Sequence, residues 1–215
     1  RCHFEGLQLG NSVNGSLANN TQITECIIEL LNVSNAPGTY VSNSVVQTLN
    51  TSNATANTQV LNCILLGGIP TGNEGVHYEN CVFATSLTAP VTVIEASSYI
   101  NNLFVGNGGG FSINAGPNVE AWVDNLSETI LSGASGAFVN VANVSAYNFA
   151  FDYNVSAPYQ IEGTDDEDLG VYGGAWPWKD GSMPFNPHWS ELNGPGTTTN
   201  GVLPNVTIRG SAQTH

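Results

Sequence analysis

The sequence predicts an all-β protein built as a solenoid, and three observations carry the prediction. A short polar-then-apolar unit recurs, as "ITECIIELL", "VSNSVVQTL", "VLNCILLGG" and "YENCVFATS". Aligning the copies on the polar residue gives Glu25, Asn43, Asn62 and Asn80, and the same step continues at Asn102, Asn125 and Asn143, with intervals of 18, 19, 18, 22, 23 and 18 residues. No stretch longer than about ten residues holds a 3.6-residue apolar period, whereas short runs are broken by Gly, Asn and Pro, as in "LGGIPTGNEG" and "GNGGGFSINAGPN". A unit of about 20 residues cannot bury its own inner face, but stacked copies share a continuous core. With Arg1 before Cys2 as an earlier copy, the repeat predicts about seven to eight coils within residues 1–162, a body nearly 40 Å long at about 4.8 Å per coil.

Composition supports a folded chain and narrows its partners. The 215 residues are 41% hydrophobic, enough for a sizeable core. Three basic residues, Arg1, Lys179 and Arg209, face seventeen acidic ones, for a net charge of −14. Phosphate backbones and anionic lipids are bound through clustered Lys and Arg, so neither nucleic acid nor an anionic membrane is an expected partner. No apolar run approaches the roughly 20 residues that span a bilayer, and membrane insertion is not expected. Twenty-seven Asn, with abundant Ser, Thr and Gly, supply a neutral polar surface of the kind used by secreted proteins. The opening "RCHFEGLQL" reads as a strand entered midway, which suggests an upstream portion.

The apolar-x-Asn-Cys-x-apolar pattern of "VLNCIL" and "HYENCVF" resembles the coils of right-handed parallel β-helix proteins, the pectate-lyase-like superfamily. The resemblance implies a turn ladder at Asn43, Asn62, Asn80, Asn102, Asn125 and Asn143. It also implies an inward stack of Cys2, Cys26, Ser44, Cys63, Cys81, Leu103, Leu126 and Val144, and a second inward row of Phe4, Ile28, Val46, Leu65, Phe83 and Val105. A second stretch, "GTDDEDLGVYGGAWPWKDGSMPFNPH", is similar to the closing segment of secreted, largely uncharacterised β-helix proteins of Bacteroidota, and "TTTNGVLPNVTIRGSAQ" to the extended segment that follows it. This divides the chain into a β-helix (1–162), a capping segment (163–192) and a tail (193–215).

The candidate sites are few. Lyases of this superfamily use a basic residue to abstract a proton, and no Arg or Lys lies between Arg1 and Lys179. The related hydrolases need carboxylates about 5 to 9.5 Å apart; "DD" at Asp165 and Asp166 is present, but G-H-G and R-I-K are not. The chain therefore reads as a non-enzyme with no cofactor. Asp165, Asp166 and Asp168 form a weak Ca2+ candidate, or else a solvated turn whose carboxylates cap backbone amides. Cys2 with Cys26, and Cys63 with Cys81, fall on adjacent coils; buried free thiols are the favoured reading over two disulfides, because stacked side chains point the same way. Tyr172, Trp176, Trp178, Phe185 and Trp189 read as a lid over the open end of the solenoid, with sugar stacking as the alternative. Sequons mark Asn14, Asn19, Asn32, Asn50, Asn53, Asn154 and Asn205 as glycosylation candidates.

These features lead to a secreted structural protein, at the cell surface or beyond it: a subunit or domain of an extracellular fibre, stalk or adhesin that self-associates head to tail into a homopolymer, with glycans as a further partner. A strand in the tail, carrying Val206 and Ile208, is expected to complete a neighbour's sheet in trans. The alternative is a polysaccharide-binding or polysaccharide-degrading β-helix module.

Overall fold

The computed structural model describes residues 2–9, 20–34, 36–51, 57–70, 74–93, 96–108, 110–128, 136–142, 144, 146–148, 150–160, 162–175 and 177–178, together with the backbone of 188–193 and 207–211. It is an all-β parallel solenoid. The chain runs through β1 (Cys2–Gln8), β2 (Gln22–Thr24), β3 (Cys26–Asn32), β4 (Tyr40–Ser42), β5 (Val45–Asn50), β6 (Thr58–Leu61), β7 (Ile64–Leu65), β8 (Glu74–Glu79) and β9 (Val82–Ala84). It continues through β10 (Val91–Val93), β11 (Ala96–Ile100), β12 (Leu103–Val105), β13 (Ile113–Ala115), β14 (Ala121–Val123) and β15 (Leu126–Glu128). One parallel sheet has seven strands in the order β1-β3-β5-β7-β9-β12-β15; the other has six, in the order β14-β11-β8-β6-β4-β2. A small third sheet pairs β10 with β13, where the connections lengthen.

From β2 to β14 the chain makes five complete turns, fewer than the seven to eight coils expected. The difference lies downstream of β15. Val144, expected on the inward stack, is buried instead in a cluster on the outer face of the seven-stranded sheet, and Asn143 lies outside the described residues. The chain here forms an antiparallel pair, β16 (Phe138–Asn140) with β17 (Asp152–Val155), rather than another coil. Two short 3-10 turns follow, at Ala157–Tyr159 and Gly170–Tyr172.

Two cores result, one on each face of the seven-stranded sheet. Between the two main sheets lie Ile28, Val46, Leu65, Phe83 and Phe104 from one side and Val41, Val60, Tyr78 and Tyr99 from the other. Strand register puts like residues on like, so aromatic rings stack at about the strand spacing: Phe83 on Phe104 at 4.7 Å and Tyr78 on Tyr99 at 5.1 Å, while Phe104 and Trp122 stack across the core between the sheets at 5.3 Å. Each such pair contributes about 0.5–1.5 kcal/mol beyond burial. The second inward row thus continues at Phe104, not Val105, which faces outward into the other core.

That second core is built from Ile27, Val45, Ile64, Val82, Leu103 and Val105 on the outer face, covered by Phe138, Val155, Leu169, Val171 and Trp178. Ile64, Val82 and Leu103 are fully buried there, each worth about 1.5–3 kcal/mol of apolar burial. Residues 179–215 form a separate unit, whose described part is an antiparallel hairpin of β18 (His188–Asn193) and β19 (Thr207–Ser211). No helix among the described residues is long and apolar enough to cross a membrane.

Candidate functional site

The feature that organises the molecule is the corner between the two sheets. At each passage one residue adopts left-handed backbone: Glu25, Asn43, Asn62, Asn80, Asn101 and Asp124, with φ between 43° and 54°. Asn and Asp tolerate this region because a short polar side chain can bond locally, whereas Glu25 bears more of the cost. The left-handed residue falls at the expected ladder positions Asn43, Asn62 and Asn80, and one residue before Asn102 and Asn125, at Asn101 and Asp124. In both late coils two suitable residues stand side by side, Asn101-Asn102 and Asp124-Asn125, and the second takes a different task.

That task is to fill the inward position just after the corner. In register, the inward column is Cys2, Cys26, Ser44, Cys63, Cys81, Asn102 and Asn125, so Leu103 and Leu126, expected there, point outward instead. The column is polar for a physical reason. The corner diverts backbone amides from the ladder, and buried amides need acceptors. Cys26 N–H donates to Ser44 Oγ at 3.1 Å, Cys81 N–H to Asn102 Oδ1 at 2.9 Å, and Asn102 N–H to Asn125 Oδ1 at 3.0 Å. The same side chains donate back, Asn102 Nδ2 to the Tyr78 carbonyl at 3.1 Å and Ser44 Oγ to the Ser42 carbonyl at 2.8 Å, and Cys63 Sγ in the same column donates to the Leu61 carbonyl at 3.2 Å. All four cysteines are free thiols. Burial, and then the neighbouring Cys81 thiol, push the Cys63 thiol well above its ordinary value, which removes thiolate reactivity.

On the outside, the corner residues fasten the closing segment. Residues 162–175 and 177–178 run back across the corners, from Asn101 through Asn80 to Asn43. The Asn101 amide donates to the Glu162 carbonyl. Thr164 and Asn80 bond twice, Thr164 N–H to Asn80 Oδ1 and Asn80 Nδ2 to Thr164 Oγ1, both at 3.0 Å. Gly170 N–H donates to the Asn80 carbonyl at 2.8 Å, Asn43 Nδ2 to the Gly173 carbonyl at 2.7 Å, and Trp178 Nε1 to the Asn43 carbonyl at 2.6 Å. The motif's glycines permit this approach. Gly170 has φ +75°, and a Cβ there would lie 3.1 Å from Ile64 and 3.2 Å from Val82; one at Gly174 would collide with the Asn62 amide. Tyr172 and Trp178 are therefore part of a strap along the side of the solenoid, not a lid over its end. Trp176 and Phe185 lie outside the described residues, and Trp189 belongs to β18 in the separate unit.

One titratable group is tied into the strap. Thr164 Oγ1 donates to Glu79 Oε1 at 2.6 Å, and His77 Nε2 stands 2.9 Å from Glu79 Oε2. Burial opposes the charged form of Glu79, but the Thr164 hydroxyl and the His77 imidazole together outweigh it and hold the carboxyl below its ordinary value. Nothing in the sequence marked this pair, because its partners are 85 residues apart.

The acidic run forms a turn. Gly163 N–H donates to the Glu167 carbonyl at 2.9 Å, Asp166 has φ +61°, and Asp165 Oδ1 accepts from Glu167 N–H at 3.4 Å. Asp168 is half-buried, Asp165 and Asp166 exposed, and among the described residues no group of three His, Cys, Asp or Glu is positioned to hold a metal. Of the glycosylation candidates, Asn32 and Asn50 are paired neighbours at the ends of β3 and β5, half-buried, with Asn32 Oδ1 accepting from Ser34 N–H at 2.9 Å. Asn154 lies in β17 and bonds Asp152 at 2.9 Å; Asn14, Asn19, Asn53 and Asn205 lie outside the described residues. Ile208 sits in β19, paired within its own chain opposite Leu192, and Val206 lies outside the described residues.

No family model matches the chain, and no curated protein or solved structure matches it either.

Proposed function

We propose that the chain is a secreted structural protein, a subunit or domain of an extracellular fibre, stalk or adhesin assembled head to tail from copies of itself. The observation that carries this reading is the pair of ends of the seven-stranded sheet. β1 pairs only with β3 and β15 only with β12 among the described residues, and a strand of another copy added at either end would extend the same parallel sheet. The strap occupies the side of the same sheet, and the ends are where another strand can add without displacing anything described. Both end coils also carry core residues only half-buried, Phe4 and Leu7 at one and Trp122 at the other. A heterologous contact of this kind, if it does not close into a ring, builds a filament. β19 already pairs with β18 in its own chain, so a trans role for the tail falls to its second edge.

The low count of basic groups and the neutral polar surface fit an extracellular setting. So does the resemblance of the repeat to pectate-lyase-like solenoids, and of the closing segment to secreted Bacteroidota proteins. Negative-stain microscopy of the full chain and of a form lacking 197–215 tests the reading. Rods much longer than one solenoid are expected, and monodisperse short rods from both would overturn it.

A further inference from the structure

The strap touches several corners, and at one of them it brings reactive groups together. At Asn43 and Asn101 the corner amide donates to a strap carbonyl, that of Gly173 and of Glu162, and at Asn62 it faces Gly174. At Asn80 it meets a hydroxyl instead. Thr164 Oγ1 accepts from Asn80 Nδ2 at 3.0 Å and donates to Glu79 Oε1 at 2.6 Å, while Glu79 Oε2 lies 2.9 Å from His77 Nε2. A hydroxyl bonded to a carboxylate that a third group orients is the arrangement that activates an oxygen nucleophile.

The electrophile is prepared as well. The side-chain carbonyl of Asn80 accepts from Thr164 N–H at 3.0 Å and from Asn101 Nδ2 at 3.5 Å. Two donors on one carbonyl oxygen polarise it and stabilise the negative charge that it gains on attack. Asn80 is 4% exposed, so bulk water competes poorly for its amide carbon. Glu79, held below its ordinary value, is ionised at neutral pH and can take the hydroxyl proton. Thr164 Oγ1 lies on the Nδ2 side of the amide, and a turn about the Asn80 Cβ–Cγ bond presents the carbon to it, at the separation of about 3–3.5 Å from which attack proceeds.

We propose that Thr164 and Asn80 join in an intramolecular ester that locks the strap to the solenoid. Thr164 Oγ1 adds to Asn80 Cγ as its proton passes to Glu79. The tetrahedral adduct then collapses: the Cγ–Nδ2 bond breaks, Glu79 returns the proton to the departing nitrogen, and ammonia leaves. One hydroxyl and one primary amide become one ester and one ammonia, with no oxidant, reductant or cofactor. Glu79 serves as general base and then general acid, and His77 is a positioning residue that orients its carboxylate. The cross-link joins residues 84 positions apart within one chain, so it stands or falls separately from head-to-tail assembly.

The test is intact-mass spectrometry of the full chain through days of incubation at neutral pH, followed by proteolytic digestion and peptide mapping. Wild type is expected to fall in mass by one ammonia and to yield a linked peptide pair containing Asn80 and Thr164, which hydroxylamine, a reagent that cleaves esters, separates. Thr164→Ser should keep the reaction and Thr164→Val should hold the full mass. Glu79→Gln should slow it by about 100-fold or more. His77→Ala should slow it too, and His77→Gln, which can still donate to the carboxylate, should recover most of the rate; urea unfolding confirms that each variant is folded. Wild type that keeps its full mass throughout would overturn the proposal. So would an ammonia loss that persists in Thr164→Val, which would mean that the amide is lost by another route.

Discussion

The two main sheets of this solenoid face the same core with one side and differ on the other. In the six-stranded sheet the strands alternate, as in "QVL" and "HYE", because Gln59, His77 and Glu79 look outward while Val60 and Tyr78 look in. In the seven-stranded sheet the middle strands β7, β9 and β12 are apolar throughout, "IL", "VFA" and "LFV", because both of their faces are covered, one by the core and one by the strap and its neighbours. A parallel strand buried on both sides reads as a continuous apolar run. The lesson is that the apolar run after the middle corners, at β7, β9 and β12, already signalled a second layer, one that a search for period alone passes over.

The largest expected effect separates the two outer faces. Ile64→Ala, under the strap, should cost about 2–5 kcal/mol, whereas Gln59→Ala, outward on the other sheet, should stay within about 0.5 kcal/mol. Urea unfolding measures both, and comparable small effects would remove the second core. Next in size is Asn102→Leu, which strips the acceptor from Cys81 N–H and the donor to the Tyr78 carbonyl. It should cost about 1–3 kcal/mol, since the cavity is filled but buried polar groups are orphaned; a neutral result would mean that the inward column accepts apolar residues.

Gly170→Ala tests the strap's close approach. Its left-handed backbone and contacts with Ile64 and Val82 make a cost of about 1–2 kcal/mol the expectation. The smallest effect concerns acid. Because the folded carboxyl of Glu79 lies below its ordinary 4.5, its contribution is full above that value and is lost as pH falls through the lowered one. Glu79→Gln should therefore flatten the loss of stability below about pH 4.5, read as melting temperature against pH, and an unchanged acid slope would detach Glu79 from the strap.

The fold was legible in the sequence, but its corners were not equally so. Asn43, Asn62 and Asn80 each stand before a small residue and align without ambiguity. At Asn101-Asn102 and Asp124-Asn125 either residue satisfies a left-handed corner, and only the pairing of Leu103 with Val82 and of Leu126 with Leu103 decides. Cysteine and serine in the earlier coils disguised the inward column as a small-residue site, when its constant property is a polar atom that takes up a corner amide. The stretch that holds Gly163, Gly170 and Gly173-Gly174 reads as a closing segment, yet its docking on Asn43 and Asn80 joins residues 84 to 135 positions apart, a separation no local pattern encodes.

The central proposal, that copies of the chain assemble head to tail, is tested most directly by sedimentation velocity of the purified full chain over a concentration series. The account predicts species that grow with concentration well beyond the mass of one chain; a single species of one-chain mass at every concentration would contradict it.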